Sequence, residues 1–234
     1  MARILFWGRC LPQTHFTFAS RLLSWLILGT CYVAPVRAAG PLSVDPTNPR
    51  FFVDSTGKAV YLTGVHLNNS LVDRSDKAAL DFTSYLNFLL QYEHDFVRLW
   101  AWEQAAWINE STAKITFDPL PCQRKGPEMA LDGGRKFDLT RFNQAYFDRL
   151  RSRVVEAGQR GIYVSVMLFQ GFSSQRKNIG GGNPWIGHPF NVSNNINGIN
   201  GDLSGNDNGE EVHSLAVPAI TSLKRPMSAR WWTR

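Results

Sequence analysis

Apolar residues in this chain follow two rhythms. Short, mainly apolar runs at Ala59-Val60-Tyr61-Leu62-Thr63-Gly64-Val65, Phe96-Val97-Arg98-Leu99-Trp100 and Ile162-Tyr163-Val164-Ser165-Val166-Met167-Leu168-Phe169 predict buried strands. Between them, apolar positions recur at three and four. Ala79, Leu80, Phe82, Leu86, Leu89 and Leu90 predict a helix capped by Ser75. Phe142, Ala145, Tyr146, Leu150, Val154 and Ala157 predict a second, opened by Asp138 or Thr140, with Arg141, Arg149, Arg151 and Arg153 mostly outside and Gly161 ending it. Arg50–Asp54 and the run from Ala59 flank Ser55-Thr56-Gly57-Lys58, which predicts an N-terminal β-hairpin. A third helix is expected to begin near Ser214 and to be stopped by Pro226.

The order strand, helix, strand, helix, strand with apolar strands is that of an α/β fold with a parallel sheet covered on both faces. The connections from helix to strand are short, whereas residues 101–138 and 170–213 make long excursions after strand carboxyl ends. That distribution fits the active face of a (β/α)8 barrel, and a doubly wound sheet would also place ligands there. No glycine fingerprint follows the first strand. Gly180-Gly181-Gly182 lacks the strand and lysine of a phosphate loop. A barrel of this class takes roughly 250 residues and eight strands. About three βα units are legible here, so the expected fold class is α/β, an incomplete TIM (β/α)8 barrel preceded by a β-hairpin.

Charge changes the picture by its placement. The chain of 234 residues has a formal charge of +6, but residues 1–39 and 224–234 each hold four basic groups and no acid. Without these eight, seventeen basic groups face nineteen acidic ones, and the body is slightly acidic. A basic face for nucleic acid is therefore not expected. Residues 1–39 read as an export leader: arginines, then the apolar run from Leu22 to Val33, then small residues up to Gly40. The expectation is a secreted or periplasmic protein, with an uncleaved membrane anchor as the alternative and no other membrane contact. Residues 40–223 are expected to be the folded body. Residues 224–234 are read as an aberrant or disordered basic tail, either solvated or the out-of-frame end of a longer gene. Cys122 is the one cysteine beyond the leader, and no Cys/His spacing suits zinc. No cofactor is expected.

Residues at the strand ends suit a sugar. His66, Asn68 and Asn69 follow the first strand, Arg98, Trp100, Trp102 and Glu103 lie at the second, and Gln170 and Phe172 follow the third. Flat rings stack on the axial C–H faces of a saccharide, while amides and guanidinium bond its hydroxyls. Packing beneath a long loop is the competing reading for Trp100, Trp102 and Trp107. Residues 178–209 contain nine Asn and eight Gly, which predicts an irregular, wet loop. Within it, Asn206, Asn208 and Gly209 match three EF-hand positions, but Ser204 stands first where Asp belongs and Leu215 replaces the bidentate glutamate, so metal is not expected.

Together the three strand motifs, 60–66, 96–100 and 161–168, resemble the cellulase-like glycoside hydrolases. That retaining (β/α)8 superfamily includes family 5, and the resemblance spans residues 48–223. It implies hydrolysis of O-glycosyl bonds in a polysaccharide by double displacement. It also gives Arg98 the role of the arginine that supports the nucleophile, and His66 and Asn68 those of substrate contacts. The superfamily's acid/base and nucleophile end its fourth and seventh strands, which have no counterpart here. Asn109-Glu110, in the loop after the second strand, does not match the acid/base pair. Retaining chemistry needs two carboxylates about 5–5.5 Å apart. Asp73, Glu103, Asp202, Glu210 and Glu211 are available, but no pairing of them is legible. The expected product is a truncated, inactive hydrolase-like chain, with a non-catalytic secreted carbohydrate-binding protein as the alternative.

Overall fold

The computed structural model describes residues 40–108, 114–175 and 183–232. The leader reading, Asn109-Glu110 and Gly180–Gly182 lie outside the described residues. The fold is mixed α/β, built from small sheets and few helices, and no closed barrel is formed among the described residues. No helix there is long and apolar enough to cross a membrane.

The chain begins as an antiparallel meander of β1 (Ser43–Val44), β2 (Phe52–Val53) and β3 (Ala59–Val60). It then runs on to Gly64, which bridges Phe96 in parallel. A Cβ at Gly64 would lie 1.8 Å from the Phe96 carbonyl oxygen, so only glycine permits this approach. β5 (Phe96–Leu99) pairs on its other side with β10 (Tyr163–Val166), Arg98 lying opposite Ser165. The three predicted segments are therefore parallel neighbours in chain order. Side chains alternate along β5. Val97 and Leu99 are wholly buried in the core that holds Leu86 and Leu89, whereas Arg98 is exposed on the other face. Along β10 every residue is half-buried.

The helices start later than the apolar rhythm predicts. α1 (Phe82–Gln91) is capped by Asp81, whose carboxylate accepts from the Ser84 N–H at 3.0 Å. Ser75 instead accepts from the Thr116 N–H. α2 (Gln144–Gln159) is capped by Asn143. Asp138 and Thr140 lie in a strand, where the Asp138 carboxylate bonds the Thr140 N–H and hydroxyl much as a helix cap would. Arg153 faces inward and Val154 outward, the reverse of expectation. The Arg153 guanidinium sits 4.9 Å from the Phe82 ring centroid and donates to the Ser70 carbonyl, so its buried charge is partnered.

The segment before α1 and the excursion after β5 carry structure that the sequence pattern does not announce. β4 (Asp73–Arg74), β7 (Lys114–Asp118) and β6 (Ala106–Ile108) form one antiparallel sheet. β8 (Cys122–Met129) and β9 (Arg135–Phe142) form a long hairpin.

Two further expectations are corrected. The Asn-rich segment is tightly built where it is described: Asn194 and Asn195 are buried, and the Asn195 amide donates to the carbonyls of Pro189, Asn191 and Ile199. Residues 224–232 are not a disordered tail. They complete α3 (Pro218–Trp232), in which Pro226 lies inside the helix. Buried Met227 and the Arg230 guanidinium, 4.9 Å from the Phe142 ring centroid and 5.5 Å from that of Phe147, hold this helix on its neighbours despite the missing N–H.

Candidate functional site

Parallel strands end together, so the residues just beyond β5 and β10 converge on one rim. His66 is exposed and stacks on half-buried Trp100, ring centroids 5.1 Å apart and planes 10° from parallel. The Trp100 backbone N–H donates to Ser70 Oγ at 2.9 Å, and that hydroxyl donates to the Arg98 carbonyl at 3.2 Å, which fixes the platform. Asn68 is half-buried, its side-chain oxygen 3.5 Å from Lys77 Nζ. No hydrogen bond or ion pair of the Arg98 guanidinium occurs among the described residues.

The remaining predicted residues turn inward. Trp102 is 5% exposed, with its ring against Phe117 and Phe172 and its indole N–H donating to the Asn68 carbonyl. That indole is enclosed by Trp100, Phe117 and Phe172, so as placed it packs and offers no platform to a sugar. Gln170 is likewise buried. Its side-chain amide donates to Ser173 Oγ at 2.6 Å, and the Ser173 hydroxyl donates to Gln104. Trp107 packs against Phe172.

Glu103 is neither solvated nor on the platform. It anchors a buried cluster under the long loops. Its Oε2 accepts from the Gln170 backbone N–H at 2.8 Å and lies 3.2 Å from His213 Nε2, while Oε1 lies 3.7 Å from Lys224 Nζ. Burial pushes the Glu103 carboxyl up, but the His213 hydrogen bond and the Lys224 charge outweigh it and hold the group below the usual glutamate range. Lys224 is pulled below its ordinary value by its own burial, against the attraction of Glu103, and its ammonium also sits 4.2 Å from the Phe169 ring centroid. His188 is fully buried nearby. Loss of water lowers its pKa to about 3, against the opposing pull of Glu103, so the ring is neutral at pH 7.

Chemically, this cluster does not supply the pair that a retaining hydrolase needs. Glu103 Oε2 is taken up by the Gln170 N–H and His213, and Oε1 faces the Lys224 ammonium. Asp73 pairs with Arg149 at 2.9 Å. Asp202 spends its carboxylate on the Ser204 hydroxyl and the backbone N–H groups of Gly205, Asn206 and Asp207. Glu211 accepts from the Ser204 N–H, and Glu210 is exposed.

Glu103, His188 and His213 also have the composition of a two-histidine, one-carboxylate metal triad. However, His188 Nδ1 accepts from the Phe190 N–H, which leaves the proton on Nε2, and Lys224 already supplies the positive charge. The donor set does not fit a metal.

Sequence reasoning missed His188, His213, Lys224 and Tyr146 as members of this cluster. The first two stand in aperiodic loops, Lys224 in the presumed tail, and Tyr146 on a helix face that reads as plain core.

No curated protein and no solved structure matches the chain. Residues 96–202, from the start of β5 into the Asn-rich loop, match the model of a family described as a domain of unknown function, DUF6298.

Proposed function

We propose that this chain carries the saccharide-binding rim of a glycoside-hydrolase-like fold of the (β/α)8 class. Its first three strands would be the segment ending near Gly64, β5 and β10. A polysaccharide or oligosaccharide is the partner, and Arg98, His66, Asn68 and Trp100 are the residues that meet it. The observation that carries this reading is the stack of exposed His66 on half-buried Trp100, at the carboxyl ends of parallel strands. The outer face of the stack, on His66, and the exposed part of Trp100 offer a sugar a flat surface, and the amide of Asn68 and guanidinium of Arg98 answer its hydroxyls. Hydrolysis of O-glycosyl bonds is the activity implied by the strand motifs. The described carboxylates are bound in ion pairs, hydrogen bonds or open solvent, which favours binding without turnover by the residues at hand. An exported location, as the leader-like residues 1–39 suggest, would bring the chain to such a polymer.

Titration calorimetry of the whole chain against soluble plant and microbial polysaccharides, with a reducing-sugar assay run in parallel, tests the reading. The expected result is binding that weakens at least tenfold in Trp100→Ala, with no sugar released. Binding unchanged by Trp100→Ala and His66→Ala, or no binding across the panel, would refute it. Sugar release abolished by Glu103→Gln would overturn the non-catalytic part.

A further inference from the structure

A cavity of about 30 Å³ lies beside the Glu103 cluster, walled mostly by apolar groups such as Leu139, Phe190 and Met227. Three polar side chains also line it: Glu103, His188 and Tyr146. Tyr146 is wholly buried and His188 is 1% exposed, yet the Tyr146 hydroxyl and His188 Nε2 have no hydrogen-bond partner among the described residues. Two buried, unpartnered polar atoms on residues that line one cavity are rare in native proteins, because each forfeits its full hydration.

The chemistry of the lining selects the occupant. His188 Nδ1 accepts from the Phe190 backbone N–H at 3.1 Å, so the neutral ring presents an N–H at Nε2. The phenol of Tyr146 stays protonated, since burial and the nearby Glu103 charge both raise its pKa. Glu103 Oε1 has an ion pair at 3.7 Å, beyond hydrogen-bond reach, and so retains accepting capacity. The cavity therefore offers two donors and one anionic acceptor. An anion would meet the carboxylate, and a cation would meet two N–H or O–H groups beside Lys224. A neutral molecule that both accepts and donates fits, and the volume is ample for a water, which needs roughly 10–15 Å³.

We propose that this cavity is a built water site, in which an ordered water accepts from His188 Nε2–H and Tyr146 O–H and donates to Glu103 Oε1. Three bonds are the usual complement of a buried water. Such a water ties α2, the loop around His188 and the segment after β5 to one carboxylate. It also holds Glu103 Oε1 at its distance from Lys224.

Tyr146→Phe keeps the ring and removes one hydroxyl, so its effect has a different sign under the two alternatives. If the water is present, the variant of the full chain loses a made hydrogen bond, and its unfolding constant in urea rises about fivefold. If the hydroxyl is an orphan, its removal leaves that constant unchanged or lowers it. In crystals of the full chain, a density peak within hydrogen-bond reach of all three atoms is the second expected result. A neutral or stabilised Tyr146→Phe variant, or a cavity without density, overturns the proposal.

Discussion

Replacing Glu103 with glutamine tests the buried charge cluster most directly. The substitution keeps the shape and removes the charge. The carboxylate side chain is 11% exposed, as is that of Lys224. At 3.7 Å the pair attracts by about 4 kcal/mol at an effective dielectric near 20. Breaking a buried pair from one side costs about 3–5 kcal/mol, because the remaining charge stays desolvated. Lys224 keeps part of its stabilisation, since its ammonium also donates to the Val212 carbonyl at 2.9 Å. The lower end, about 3 kcal/mol, is therefore expected, or roughly 6–12 °C in Tm for a chain of this size.

The sign with pH follows from linkage. Because the folded carboxyl lies below the ordinary glutamate value, its stabilisation is fully present above that value. It is lost as pH falls through the folded pKa. Urea unfolding of both proteins from pH 7 downward should show a gap of about 3 kcal/mol at neutrality that narrows below the glutamate range. A gap under about 0.5 kcal/mol at pH 7, or one independent of pH, would refute the assignment of Glu103 as the cluster's charged centre.

Two further outcomes are expected. Asn195→Ala removes a side chain that bonds the carbonyls of Pro189, Asn191 and Ile199 and accepts from the N–H groups of Asn197 and Ile199. It should cost about 2–4 kcal/mol and deprotect residues 189–199 in hydrogen exchange; unchanged exchange there would contradict the account. The Cys122 thiol, pushed up to about 12 by burial and secondarily by Asp138, should resist an aromatic disulfide reagent at pH 8 in the folded chain. Mass spectrometry should then locate label on Cys122 only as denaturant unfolds the protein, and rapid native labelling would count against its placement.

The parallel strands were legible because burial on both faces removes polar alternation, leaving runs such as Phe96–Trp100 that stand out from their surroundings. The hairpin of β8 and β9 was not, since Cys122–Met129 combines charged residues with Gly126 and Pro127 and shows no period. Helix starts were misread for a local reason. Asp138 and Ser75 satisfy nearby backbone N–H groups without starting a helix, and Asp81 and Asn143, which do start one, carry the same chemistry. At the site, strand-end position singled out His66 and Trp100, whose rings stack because parallel pairing brings the two strand ends side by side. It could not separate half-buried Trp100 from buried Trp102, which depends on β7 supplying Phe117. Nor could it supply the partners of Glu103, because His213 and Lys224 reach it from far downstream through packing that no local pattern records. Pro226 misled for the opposite reason: a strong local rule yielded to contacts made by Met227 and Arg230.

The bonding inside the Asn-rich loop also bears on how this protein ages. Asn-Gly pairs are the sequences most prone to cyclise, the glycine nitrogen attacking the asparagine side chain with loss of ammonia. The chain holds three, Asn197-Gly198, Asn200-Gly201 and Asn208-Gly209, all in this loop. In the fold each is held out of reaction. The Asn197 side-chain oxygen accepts from the Leu139 N–H, the Gly201 nitrogen donates to the Phe190 carbonyl, and the Gly209 nitrogen donates to that of Ser174. Cyclisation requires the nitrogen to leave its acceptor or the side chain to leave its donor, so it runs through the locally opened loop. Chemical lifetime is thereby tied to conformational stability: whatever loosens residues 195–209 starts a slow, irreversible conversion of neutral amides into new negative charges.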